Sequence, residues 1–289
     1  MNRRDFFAAA AAAGVTVSIS HAQPDSSASL TARPAGKGRL KQSVCRWCYG
    51  GMPLDRLCEL AASIGYRSVE LLEPKDWPTV RAHGLDCAVA FSVPSNPIPK
   101  GFNRRDHHDS IIKELETRLP LVKEAGIPNQ IVFSGNRAGL DDREGRKACA
   151  EGLRRITPLA EQLGVTIVME LLNSRVDHGD YMCDRTEWGA ALVDEVASDR
   201  FRLLYDIYHM QIMEGDVIRT IQRHGKAIGH YHTAGNPGRN EIDDSQELNY
   251  SAIAKAIADS GYTGYLGQEF VPRKDPAASL RHAFETCAV

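Results

Sequence analysis

Four short β-rich stretches in the second half of the chain end on residues that bind cations or move protons. Stretch 166–170 ends on Glu170, 201–206 on Asp206, 228–232 on His232 and 265–269 on Glu269. If these stretches are neighbouring strands, their ends meet, and three like charges are buried together. That arrangement is very costly unless a cation compensates. A set rich in oxygen with one nitrogen suits Mn²⁺, Mg²⁺ or Co²⁺ better than a thiolate-seeking ion. The expected cofactor is therefore one divalent metal ion, with Glu170, Asp206, His232 and Glu269 as its ligands.

The elements that must position these four residues are legible as a repeat. Eight β-rich runs (43–47, 68–72, 86–91, 130–134, 166–170, 201–206, 228–232 and 265–269) alternate with helical stretches. Leu153, Ile156, Ala160 and Leu163 recur at spacings of three and four, as do Leu115, Leu119 and Val122, giving each helix one apolar stripe. Gly65, Gly126, Gly164 and Gly261 each close a helical run just before the next strand. Strand–helix alternation implies an α/β fold with a parallel sheet, and eight units favour closure into a (β/α)8 TIM barrel. A doubly wound open sheet is the alternative, although no Gly-x-Gly-x-x-Gly follows the first strand as dinucleotide binding would require. In a barrel, chemistry sits at the C-terminal ends of the strands, where the four residues fall.

The first 22 residues do not belong to this pattern. Arg3-Arg4-Asp5-Phe6-Phe7 precedes an Ala-rich run, and Ser20-His21-Ala22 offers small residues for cleavage after Ala22. This is the layout of a twin-arginine export signal, and the apolar run is too short for an ordinary span of about 20 residues. Residues 23–40 are polar, with Pro, Gly and Ser, and read as a flexible linker. The single catalytic domain is then 41–289, close to the ~250 residues typical of such barrels. The expected location is periplasmic or otherwise extracytoplasmic, with no stable membrane insertion once the signal is cleaved. The whole chain of 289 residues has Lys+Arg 35 against Asp+Glu 37, a formal charge of −2. Removing 1–22 takes away Arg3, Arg4 and Asp5, a net +1, leaving −3. Nothing in that balance calls for nucleic acid as a partner. The seven cysteines are too scattered for a disulfide scaffold. Cys45 and Cys48 read as small residues at a barrel edge rather than a redox pair. A homo-oligomer is left open.

Tyr205-Asp206-Ile207-Tyr208-His209-Met210-Gln211-Ile212-Met213-Glu214-Gly215 closely resembles a stretch of the hydroxypyruvate isomerase family, within the xylose-isomerase-like barrels. Ile228-Gly229-His230, the run from Ala234 to Glu241, Glu247-Leu248-Asn249-Tyr250 and Gly267-Gln268-Glu269-Phe270 continue the likeness. Val69-Glu70-Leu71-Leu72-Glu73-Pro74 fits more loosely. The resemblance implies the same four metal ligands and makes Glu170 and Glu269 the catalytic proton carriers. The implied reaction is enediolate proton transfer in a small hydroxy-oxo acid or sugar, such as hydroxypyruvate to tartronate semialdehyde. A metal ion chelated by substrate oxygens and a carboxylate on either side of the substrate suit that chemistry.

Several neighbours follow as expectations. His209 and Arg239 are candidate substrate-binding residues, the guanidinium gripping a carboxylate or a hydroxyl pair. Glu241 reads as solvent-facing, Trp47 as a pocket floor or a core residue, and Asp177 and His178 as substitutes for substrate contacts. The first strand and the 92–106 loop depart from the family pattern, which leaves the substrate open. The rival functions are an extracytoplasmic keto-sugar epimerase or lyase, an apurinic endonuclease relative, and a non-catalytic sugar-binding barrel. The endonuclease would need more histidines among the ligands and a DNA-binding surface. Replacing Arg3 and Arg4 together with Lys is expected to leave uncleaved precursor in the cytoplasm, because the pair acts as an address and not as a charge. Fractionation showing normal cleavage and export of that variant would exclude the twin-arginine route.

Overall fold

The computed structural model describes residues 38–289. The export signal and the linker up to residue 37 lie outside the described residues. The last residues assigned to the linker already pack on the domain. Leu40 is buried, and the Arg39 N–H donates to the Val289 carbonyl at 2.6 Å.

Eight parallel strands are present: β1 (Lys41–Cys45), β2 (Ser68–Glu70), β3 (Val89–Ala90), β4 (Asn129–Val132), β5 (Thr166–Leu171), β6 (Phe201–Asp206), β7 (Ile228–Thr233) and β8 (Tyr265–Gln268). Their order is β2-β1-β8-β7-β6-β5-β4-β3. Parallel bridges Ser68–Asp86 and Leu72–Ala90 join the two ends, so the sheet closes into a barrel and the open-sheet alternative falls away. The strands are largely buried on both faces because helices cover the outside and side chains fill the inside. In β5, for example, every residue from Ile167 to Leu171 is buried.

Around the strands run α1 (Leu54–Ile64), α2 (Trp77–Ala82), α3 (Arg105–Glu124), α4 (Asp142–Leu163), α5 (Thr186–Val196), α6 (Ile207–Met213), α7 (Val217–His224), α8 (Tyr250–Asp259) and α9 (Pro276–Thr286). Among the described residues none of these is long and apolar enough to cross a membrane. The stripes expected from spacing are the buried faces: Leu115, Leu119 and Val122 of α3, and Leu153, Ile156 and Ala160 of α4. Asp141 begins α4 by accepting from the N–H groups of Arg143 and Glu144. Gly164 ends it at φ 71°, a left-handed position that glycine takes without strain.

The expected strands 68–72, 130–134 and 265–269 end one or two residues early, and two others differ more. The run 86–91 is a true strand only at Val89–Ala90, because the Ala88 N–H turns to the Ser68 hydroxyl (2.8 Å) and interrupts the ladder. The first strand stops at Cys45, and Trp47 stands in the tight turn Arg46–Tyr49. Leu153 is wholly buried between α4 and its neighbours. Truncation to Ala is expected to cost about 2–5 kcal/mol, seen as a lower urea midpoint with little change in slope.

Candidate active site

The four sequence-predicted residues meet at the C-terminal mouth. Glu170 is in β5, Asp206 ends β6, His232 is in β7 and Glu269 follows β8, its N–H donating to the Thr233 carbonyl at 2.9 Å. One ligand atom from each lies within 4.8 Å of the others, and all four residues are buried. Asp206 explains how this aim is achieved. It also caps α6, and Oδ1 accepts the His209 N–H at 3.1 Å, which leaves Oδ2 directed into the mouth. Asp206 Oδ2, Glu170 Oε1 and His232 Nδ1 are all buried without a hydrogen-bond partner.

Electrostatics says what this cluster lacks. Burial and the nearby Glu269 push Asp206 well above the usual carboxylate range, and the same two causes raise Glu170. Burial also opposes ionisation of Glu269, but His232 and Arg239 hold it well below its ordinary value. The protein's own cations therefore ionise one carboxylate fully and leave the other two short of charge. Three orphaned donor atoms aimed at one point, in an oxygen-rich set with one imidazole, fit a hard divalent ion.

A layer beneath holds His232. Its Nε2 lies 2.8 Å from Glu70 Oε1, at the end of β2, so the ring presents Nδ1 to the carboxylates, 3.1 Å from Glu269 Oε2 and 3.5 Å from Glu170 Oε1. His230 Nε2 reaches the same Glu70 oxygen at 2.9 Å. Facing imidazoles outweigh the burial penalty and keep Glu70 strongly ionised. Gly267 makes room: an added Cβ would collide with Glu70 Oε1 and stand 2.8 Å from His232 Cδ2. Glu70 was not singled out from sequence as a site residue, although its place at a strand end and the loose family match around it were available signals. Cys45 is the last residue of β1. It is fully buried, with Sγ 3.5 Å from Glu70 Oε1 and 3.7 Å from His232 Nε2. Every cysteine is free and buried.

Arg239 stands across the mouth at φ 58°, a strained conformation for a long side chain. Backbone bonds to Gly235 and Val271, each 2.8 Å, hold it there. Its Nη2 is 2.8 Å from Glu269 Oε2 and 3.6 Å from Asp206 Oδ2, and the guanidinium lies over Trp47 (4.9 Å) and Tyr208 (5.5 Å). Trp47 is 44% exposed and donates to Glu269 Oε1 at 2.7 Å, so it is not a core residue. His209 is buried, its Nδ1 accepting from Asn173 at 2.6 Å and its Nε2 3.7 Å from Asp206 Oδ2. Burial and Arg239 keep its ring neutral. Asp177 accepts from Asn173 (2.7 Å) and Tyr208 (2.9 Å), which ties His209 and Arg239 to one anchor. Glu241 does not face water. It is buried and takes the N–H groups of Arg273 and Lys274, both at 2.8 Å, just before α9.

A cavity of about 660 Å³ opens onto Glu170, Glu269, Arg239 and His178. A larger depression of about 900 Å³ lies beside residues that precede β7 and β8, and holds none of the four converging groups, so size alone does not mark the site.

A family model for xylose isomerase-like TIM barrels matches residues 58–287, and the chain belongs to that family. Among its relatives, 2-oxo-tetronate isomerase of Cupriavidus necator is 36% identical over 243 residues, covering 78% of this chain and 90% of that protein. Hydroxypyruvate isomerase of Escherichia coli is 31% identical over 144 residues, 50% of this chain and 55% of that protein. A solved structure described as AP endonuclease, family 2, from Brucella melitensis aligns with TM-score 0.73 at 25% identity, over 83% of this chain and 97% of that one.

Glu70→Gln keeps the volume but removes the charge that orients His232. It is expected to weaken Mn²⁺ binding about 10–100-fold by calorimetry, with the far-UV spectrum intact. Unchanged affinity would show that His232 is oriented without it.

Proposed function

We propose that this protein is a metal-dependent isomerase of small 3-hydroxy-2-oxo acids, converting RCH(OH)–CO–COO⁻ to RCO–CH(OH)–COO⁻. Hydroxypyruvate to tartronate semialdehyde is the case where R is hydrogen. The convergence of Glu170, Asp206, His232 and Glu269 on one buried point carries the reading. The substrates in the relatives' names, 2-oxo-tetronate and hydroxypyruvate, differ only in R, which supports it.

When bound, a divalent ion would supply Lewis-acid stabilisation of the oxygen on which charge develops. The chain's own groups do the rest. Glu170 and Glu269 take the proton from the hydroxyl-bearing carbon and deliver one to the neighbouring carbonyl carbon, while a proton passes between the two oxygens, so no atom is gained or lost. Trp47 fixes the Glu269 carboxylate through its indole N–H. Arg239, clamped between Trp47 and Tyr208, is placed to receive the substrate carboxylate, and neutral His209 supports Asp206 from behind. The proposal includes action outside the cytoplasm, on the strength of Arg3-Arg4 and the Ala-rich run that follows.

With hydroxypyruvate in deuterated water, Glu269→Gln and Glu170→Gln should each lose about 10²-fold or more in solvent-deuterium incorporation. The double variant should be far less than multiplicatively worse, since both groups serve one transition state. Exchange at the wild-type rate in both single variants would sink the two-glutamate reaction.

A further inference from the structure

The cavity beside the converging residues is larger and more apolar than a three-carbon acid requires. Its volume of about 660 Å³ is of the size that encloses a drug-sized molecule. The wall built by the segments after β3 and β4 includes Phe91, Val93, Ile98 and Phe133. Phe91 keeps 40% of its surface exposed there, a large apolar group turned to open space beside the reacting centre.

Most polar groups in this wall are already engaged. Pro94, Pro97 and Pro99 have no N–H to offer. The Ser92 hydroxyl donates to the Asn96 carbonyl at 2.9 Å. The Asn96 amide donates to the carbonyls of Lys100 and Phe133, both at 3.1 Å, and its side-chain oxygen accepts the Phe133 N–H at 2.8 Å. Glu73 is paired with Arg118 at 2.9 Å. Arg239, the cation of the lining, pairs with Glu269 and, on the reading above, serves the carboxylate at the reacting end of the substrate. His178 stands with the reacting group, its ring edge-on to His209 at 5.2 Å. A phosphate or a second carboxylate would find no free cation on this wall, and a row of hydroxyls would lose water without replacement bonds.

We propose that this wall is a subsite for an uncharged hydrocarbon group, aryl or branched alkyl, carried on the hydroxyl-bearing carbon of the substrate. The physiological substrate is then a 3-hydroxy-2-oxo acid bulkier than hydroxypyruvate. This rests on the isomerase reading for the reacting end, whereas the subsite itself is a matter of binding.

Calorimetry on the Mn²⁺-supplemented protein separates the two. The compounds to compare are hydroxypyruvate, 2-oxo-tetronate and 3-hydroxy-2-oxo-4-phenylbutanoate. The phenyl compound is expected to bind at least about tenfold more tightly than either small acid, because an aromatic ring leaves water for an apolar wall. Phe91→Ser and Ile98→Ser should each remove most of that advantage and leave hydroxypyruvate affinity within about twofold. Equal affinity for all three compounds, or variants that weaken hydroxypyruvate as much as the phenyl acid, would overturn the subsite. Deuterium exchange on the same samples keeps the claims apart. Tight phenyl binding with no exchange in any compound supports the subsite and defeats the isomerase reading. Exchange in hydroxypyruvate without a phenyl preference defeats the subsite alone.

Discussion

Charge compensation in a dry space governs this molecule. Three buried carboxylates meet there, and each unbalanced negative charge costs several kcal/mol. The positive groups within reach are His232 and Arg239, and they favour Glu269 over the other two. Asp206 and Glu170 are each left with a buried oxygen that has no hydrogen-bond partner. A divalent cation would satisfy that demand, and the lone oxygens and imidazole nitrogen are the donors it would use.

The same constraint is repeated one layer down. Glu70 adds a fourth buried carboxylate below the mouth, and two imidazoles answer it through a single oxygen. This sandwich of acid, imidazole and acid fixes which nitrogen of His232 faces the mouth, and it needs a residue without a side chain at Gly267 to fit. A second set of tethers runs from Asp177 through Asn173 to His209 and through Tyr208 to Arg239. The strain at Arg239 is tolerated because its backbone is bonded on both sides.

The barrel divides its mouth by chemistry. Strands β5, β6 and β7 carry Glu170, Asp206 and His232 near their C-terminal ends and Glu269 follows β8, whereas the segments after β3 and β4 bring Phe91, Phe133 and a proline-rich loop. On the reading proposed above, one side acts on the reacting carbons while the other selects what is attached to them. This separation is what a closed ring of parallel strands permits, since all the C-terminal strand ends lie on the same side of the barrel.

The sequence by itself determined the repeat, the stripes of α3 and α4, and Glu170, Asp206, His232 and Glu269 as a group. All of these follow from period and from position at a strand end, which are local properties. Family likeness in the run from Tyr205 to Gly215 drew attention to His209, but only packing puts its ring behind Asp206, with Nδ1 on Asn173. Glu70 and Cys45 were illegible as parts of the site because their partners are distant in the chain, Glu70 lying 162 residues before His232. Glu241 looked solvent-facing because nothing local announces the backbone N–H groups it accepts 32 and 33 residues later. Barrel closure, too, was decided only by tertiary structure, through bridges between β2 and the residues around β3 where the ladder is interrupted. Local pattern tells which side chains reach a strand end, but what a buried charge meets there depends on segments that only the closed barrel brings together.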